Sequence, residues 1–180
     1  MIKDRLNATT AVLQLPIGSE EVFEGIVDLI QMKEVKWALD DKSEGADFEV
    51  CEIRDELKEI ANKYRHEMLD VVAGADDELM ELYLEDKEIP EALLKAAIRI
   101  GTIANEFVPI LTGSAFKNKG VQPMLNAVVD YLPSPLDIPA IDGLKMDEET
   151  HDERHANDDE PFSALAFKIV ADPYVKLTFF

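Results

Sequence analysis

The residues best placed to do chemistry lie in one stretch, Val108-Pro109-Ile110-Leu111-Thr112-Gly113-Ser114-Ala115-Phe116-Lys117-Asn118-Lys119-Gly120. Phe107 to Leu111 is a short apolar run, as in a strand covered on both faces. Gly113, Ser114 and Ala115 are small, so a ligand can come close to the backbone there. Asn118 and Gly120 suit a turn. Val121, Met124, Leu125, Val128, Val129 and Leu132 then recur at helical spacing. Open α/β sheets bind ligands where a strand ends and a helix begins. Spacing alone favours a plain packing joint, since such a joint needs small residues whether or not it binds anything.

Other candidates for chemistry are weaker. No Gly-x-x-x-x-Gly-Lys-Ser/Thr run occurs. The chain therefore lacks a nest of backbone N–H groups for β- and γ-phosphates, and a hydroxyl for Mg²⁺. His151 and His155 stand four apart, as in a helical zinc motif, but Asp152 follows the first His where that motif needs Glu. A polar, solvated loop is the better reading of that segment. Cys51 reads as a small core hydrophobe. His66, between Arg65 and Glu67, reads as solvent-facing. The carboxylate pairs Asp76-Asp77 and Asp158-Asp159 have no apolar surroundings to separate their pKa values, so they read as surface.

The elements that position the stretch come earlier. Residues 1–11 read as a helix end and a turn. Val12–Ile17, Phe23–Ile30, Met32–Trp37 and Phe48–Cys51 read as strands, with a polar turn from Asp40 to Asp47. Their tight spacing predicts an antiparallel sheet. The period then changes. Leu57, Ile60, Ala61, Tyr64, Met68, Leu69, Val71 and Val72 form one stripe of a helix over 54–73, with Gly74 as its C-cap. Asp76 or Asp77 caps a second helix bearing Leu79, Met80, Leu82, Tyr83 and Leu84. Pro90 opens a third with Leu93, Leu94, Ala97, Ile98 and Ile100. Strands followed by helices over 12–104 make an α+β block. Pro133, Pro135 and Pro139 mark a linker, and 142–160 is acidic and reads as a loop. Two strands, Phe162–Val170 and Lys176–Phe180, flank a turn at Asp172-Pro173.

Composition bounds the function. The chain has 180 residues, 47% of them hydrophobic, which is enough for a core. Its net charge of −20 argues against non-specific binding to nucleic acid and favours a basic protein partner, or simply solubility. One cysteine excludes an intrachain disulfide. No apolar run is long enough to span a membrane and no signal peptide is evident, so the expected location is cytoplasmic.

Gly-Ser-Ala-Phe-Lys-Asn-Lys-Gly-Val-Gln at 113–122, with Asp-Tyr-Leu-Pro-Ser-Pro at 130–135, resembles bacterial translation elongation factor G. The likeness covers nearly the whole chain. It implies a piece of a translational GTPase that drives ribosomal translocation and, with a recycling factor, ribosome disassembly. It implies GTP or GDP with Mg²⁺ as the full-length protein's cofactors. The backbone N–H groups of Ser114 and Ala115 would meet the guanine O6, with Phe116 and Lys117 beside them. Phe116 stands where many small GTPases carry Lys. The guanine-reading Asn-Lys-x-Asp motif would lie shortly before residue 1. The chain lacks both that motif and the phosphate loop, so it is expected to be inactive as a GTPase by itself.

The same resemblance implies an architecture and partners. Residues 1–11 and 105–140 would be the C-terminal part of a P-loop-type α/β GTPase domain. Residues 12–104 would be its inserted α+β subdomain, 141–160 an acidic linker, and 161–180 the first strands of a β-barrel domain. The family usually has a Gly between the residues matching Val175 and Lys176, and it is absent here. The implied partners are the ribosome and the C-terminal domain of the ribosomal stalk protein, with ribosomal RNA touched by other parts of the parent and no membrane. The stalk contact would run through an acidic helix, here Glu59, Glu67 and Asp70, with Asp77 nearby. Gly74 replaces a further acidic position of relatives. The plain reading of this face, which also holds Asp55, Lys58 and Asn62, is a solvated surface. Two alternatives remain: a tetracycline-resistance type of ribosomal protection protein, and a free-standing interaction module without a nucleotide role.

Overall fold

The computed structural model describes residues 5–38, 43 and 45–180. The chain divides into two units, Met1–Leu132 and Pro133–Phe180. Among the described residues the chain is mixed α/β, with small sheets and four α-helices.

In the first unit, β1 (Thr10–Val12) pairs in parallel with β6 (Val108–Ile110). The strands β2 (Gln14–Ile17), β3 (Gly25–Asp28), β4 (Lys33–Lys36) and β5 (Glu49–Glu52) form an antiparallel meander. The single strand expected at 12–17 is therefore two strands in two sheets. Leu13 is the junction: its N–H donates to Ile110 at 2.9 Å, and its carbonyl accepts from Leu29 at 3.0 Å. Alternation marks which side chains point inward, but not which strand lies alongside.

Expected strand 23–30 shortens at both ends for local reasons. Phe23 ends a short turn over Glu20–Val22. Asp28 accepts from the N–H groups of Ile30 and Gln31, at 2.8 and 3.0 Å, and bends the chain away. The polar turn expected at 40–47 lies partly outside the described residues, as do the first four residues of the expected 1–11 helix end. Arg5 and Leu6 are helical, and Asn7 leaves the helix at φ +49°.

The central strands β3 and β4 bury residues on both faces, while β5 is largely exposed. Phe23, Ile26, Val35 and Trp37 form a small cluster. Val27, Leu29 and Ile17 join the main core under the helices. That core gathers Met68, Leu69 and Val72 from α1 (Asp55–Val72), Leu79 from α2 (Asp77–Leu84), and Leu94, Ala97 and Ile98 from α3 (Glu91–Ile103). Burying each large side chain contributes about 1.5–3 kcal/mol. Ile60 and Ile100, expected in the stripes, are instead exposed.

Helix ends follow side-chain chemistry. Asp76 caps α2, accepting from the Leu79 N–H at 2.9 Å. Replacing Asp76 with Ala is expected to lower stability by about 1 kcal/mol, read as a shift of a few degrees in the thermal midpoint. Gly74 does not cap α1. The helix ends at Ala73 in ordinary helical conformation, and Ala73–Ala75 tighten into a short 3₁₀ turn that carries the chain to Asp76. A tightened last turn can satisfy carbonyls without a left-handed glycine.

A buried charge network ties the meander to α1. Glu34 is fully buried on β4. It accepts from the Arg54 backbone N–H at 2.6 Å and from Arg54 Nε at 3.1 and 3.2 Å, with Lys36 Nζ at 3.0 Å. Arg54 also reaches Glu24 at 3.2 Å. Burial pushes the Glu34 carboxyl up, but the Arg54 and Lys36 donors outweigh it and hold it below its ordinary value.

The helix α4 (Val121–Tyr131) packs Ala127 and Tyr131 inward. Its expected apolar stripe points elsewhere: Met124, Leu125, Val128, Val129 and Leu132 are all exposed. Strand β6 was expected to be covered on both faces, yet Val108 is 48% exposed and Pro109 and Ile110 are only part-buried.

The second unit holds two hairpins. The acidic segment read as a loop contains one: β7 (Ile141–Leu144) pairs with β8 (His151–Arg154). Its polar strands bury no face, so no alternation announces them. β9 (Lys168–Ala171) and β10 (Lys176–Phe179) form the other, with the Phe167 and Phe179 rings 6.5 Å apart. Asp172 closes its turn, accepting from the N–H groups of Tyr174 and Val175 at 2.7 and 2.8 Å. That turn closes with Val175 followed directly by Lys176, with no Gly between them.

Candidate functional site: the loop after strand β6

The loop from Gly113 to Gly120 leaves the C-terminal end of β6 and enters α4. Ser114 and Lys119 pair across its base, N–H to carbonyl at 2.8 and 3.1 Å. Asn118 and Gly120 both take positive φ, +52° and +88°, which turns the chain back on itself. At Gly113 a Cβ would stand 2.8 Å from the Lys119 carbonyl. Closure of the loop on itself therefore demands the small residue there.

Between these stems Ala115–Lys117 form one 3₁₀ turn. The opening N–H groups of such a turn have no acceptor within it. Ala115 is exposed and Phe116 stands fully in solvent. Ser114 is half-buried. The Ser114 N–H is taken by the Lys119 carbonyl, so what the tip presents with little side-chain cover is the backbone at Ala115 and Phe116. Lys117 lies at the same tip, but its ammonium turns to the meander. It donates to the carbonyls of Glu20 and Glu21, at 3.2 and 2.6 Å.

Further residues that sequence reasoning missed brace the loop. Lys119 is 3% exposed and donates to the Ala38 carbonyl at 2.7 Å. The Gly45 carbonyl accepts from Trp37 Nε1 at 3.0 Å and from Gln122 Nε2 at 2.9 Å. Gly45 has φ +85°, and a Cβ there would stand 2.0 Å from the Asn118 carbonyl oxygen. Gln14 Oε1, from the start of β2, accepts from the Thr112 N–H at 3.2 Å. These partners are far apart in sequence, so no local pattern announces them.

The acidic residues singled out lie on the two adjoining helices. Glu59, Glu67 and Asp70 are exposed on α1, and Asp77 is exposed at the first turn of α2. Glu67 has Lys63 at 3.9 Å. Asp70 accepts from the Tyr83 hydroxyl of α2. His66 faces outward as expected, yet its ring also packs on Tyr83, with centroids 5.5 Å apart. Burial and the neighbouring Asp70 push the Tyr83 hydroxyl up to about 12.

Among the described residues no group of His, Cys, Asp and Glu could hold a metal ion. His151 and His155 instead face Asp142 and Glu160, at 3.1 and 3.0 Å, in and just beyond a strand. Cys51 is half-buried on β5, opposite Glu34. No helix among the described residues is long and apolar enough to cross a membrane.

No protein-family profile matches the sequence. Among solved structures, the chain is similar to the crystal structure of a protein from Thermus thermophilus, with a TM-score of 0.63 and 22% identity. The match covers 77% of this chain and 20% of that one. It is a likeness of fold, to a small part of a much longer protein.

Proposed function

We propose that the chain is part of a translational GTPase of the elongation factor G type, acting in ribosomal translocation, and that its 113–120 loop contacts guanine through the backbone of Ser114 and Ala115. The observation that carries this reading is the run Gly-Ser-Ala-Phe-Lys-Asn-Lys-Gly-Val-Gln at 113–122, folded as a bare-tipped loop after a parallel strand. The Ser114 N–H is already held by the Lys119 carbonyl at 2.8 Å, so the donor this reading offers to the guanine O6, which accepts hydrogen bonds, is the Ala115 N–H, with Ser114 shaping the loop beside it. Adenine presents an amino donor at that position, so donor would face donor and the bond would be lost. A buried donor left unpaired costs about 1–3 kcal/mol, which gives the loop a share in base selectivity.

In this reading β1, β6 and α4 are the closing elements of a wider α/β GTPase domain. The exposed apolar stripe of α4 fits such a setting. Residues 12–104 are its inserted subdomain, and the β9–β10 hairpin begins a β-barrel. GTP and Mg²⁺ would be held by a phosphate loop in another part of the longer protein, since no Gly-x-x-x-x-Gly-Lys-Ser/Thr run occurs in this sequence. The chain's own part is to present the loop and to keep it in shape.

The acidic face of α1 and α2 is read as the dock for the C-terminal domain of the ribosomal stalk protein, a basic partner. Glu59, Glu67, Asp70 and Asp77 are all exposed there, and exposed Ile60 adds an apolar contact. Contacts of this kind speed association more than they raise affinity. Binding is expected to weaken as salt rises past 0.1 M, where the Debye length is about 10 Å. Asp70→Lys is expected to weaken it further, by roughly fivefold, for a swing of about 1 kcal/mol. Chemical-shift mapping of the labelled chain against the stalk domain tests this. Shifts clustered on the meander, or affinity indifferent to salt, would contradict the docking site.

A further inference from the structure

Lys119 is a buried ammonium at the base of the loop. An ammonium taken from water is costly unless acceptors repay it, and an apolar side chain would fill the same space at lower cost. What lysine adds is direction: its bond runs from the loop to Ala38, just past β4 of the meander, across 81 positions of sequence. Lys117 makes a second tie in the same sense, to the turn that joins β2 and β3. Gly45 and Gln122 make a third, and Gly45 leaves no room for a side chain against Asn118. All three ties run to one body, the meander with its connecting turns.

We infer that Lys117 and Lys119 are positioning residues that lock the 113–120 loop to the inserted sheet, so that the inserted block sets how readily the loop releases its ligand. The second half rests on the reading of the loop as a guanine contact. A lock of this kind links the docking helices to the loop through one packed unit: α1 and α2 share a core with the meander, and the meander holds the loop.

Amide hydrogen exchange on the whole chain tests the lock. Lys119→Met is expected to speed exchange at Ser114, Lys117, Asn118 and Lys119 by about tenfold or more, as befits loss of a hydrogen bond from a charged donor. Amides of α3 keep their protection. Lys119→Arg, which can still donate to Ala38, keeps much of the protection. Lys117→Met, a change near the surface, gives the same pattern and decides the matter where Lys119→Met fails to fold. Loop exchange unchanged in the variants that fold overturns the lock. In the longer protein carrying the phosphate-binding parts, GDP release should quicken by a similar factor with association unchanged. Faster loop exchange with unaltered release overturns the link to release. A wild-type longer protein that binds no guanine nucleotide removes the guanine reading, while the exchange result still decides the lock.

Discussion

Glu34→Ala is expected to lower the unfolding free energy of the chain by about 3 kcal/mol, the low end of the cost of breaking a buried ion pair. The low end applies because Arg54 and Lys36, at 29% and 33% side-chain exposure, can each recover some water. Urea denaturation measures it. The pH dependence has a definite sign. The folded Glu34 carboxyl lies below its ordinary 4.5, so its contribution is present above that value and is lost as pH falls through the lower, folded one. The wild-type chain should therefore lose stability below about pH 4.5 more steeply than the variant. Matching pH profiles would mean that Glu34 is not the group responsible.

Ala115→Val in the longer protein is expected to weaken GDP binding by roughly tenfold or more. In the proposed reading the loop tip meets the base through its backbone, so what matters is close approach. A β-branched side chain at the opening of the 3₁₀ turn crowds the base and stiffens the chain away from its present shape. Loss of one hydrogen bond is worth about 1–1.5 kcal/mol, and crowding adds to it. Stability should change little, because Ala115 is exposed. Calorimetric titration with GDP measures the effect, and unchanged affinity would count against the assignment of Ser114 and Ala115.

Much of this was legible in the residues. The helices of the α+β block announced themselves through stripes such as Leu94, Ala97 and Ile98, because burial on one face imposes a 3.6-residue period. A cap at Asp76 or Asp77 was legible from its place before an apolar run, and the structure chooses Asp76. The loop was legible from Gly113 to Gly120, since backbone closure and positive φ restrict residue types strongly. What stayed hidden depends on partners remote in sequence. Leu13 hands the chain from one sheet to another without any break in pattern. Lys119 looks like an ordinary loop lysine until Ala38 is placed beside it. The β7–β8 hairpin, whose strands bury little, offered no hydrophobic period to read. The α4 stripe was read correctly as apolar, but its burial was not: Met124, Leu125, Val128, Val129 and Leu132 are exposed.

The central claim, that the 113–120 loop belongs to a guanine-nucleotide site completed by other parts of a longer protein, is tested most directly by paired calorimetric titrations. One uses this chain alone, the other the longer protein with the phosphate loop and the Asn-Lys-x-Asp motif supplied, each against GDP and ADP. The account predicts no heat above background for the chain alone at millimolar nucleotide. It predicts guanine-specific binding, micromolar or tighter, for the longer protein. Micromolar, guanine-specific binding by this chain alone, or a longer protein that fails to prefer GDP over ADP, would contradict it.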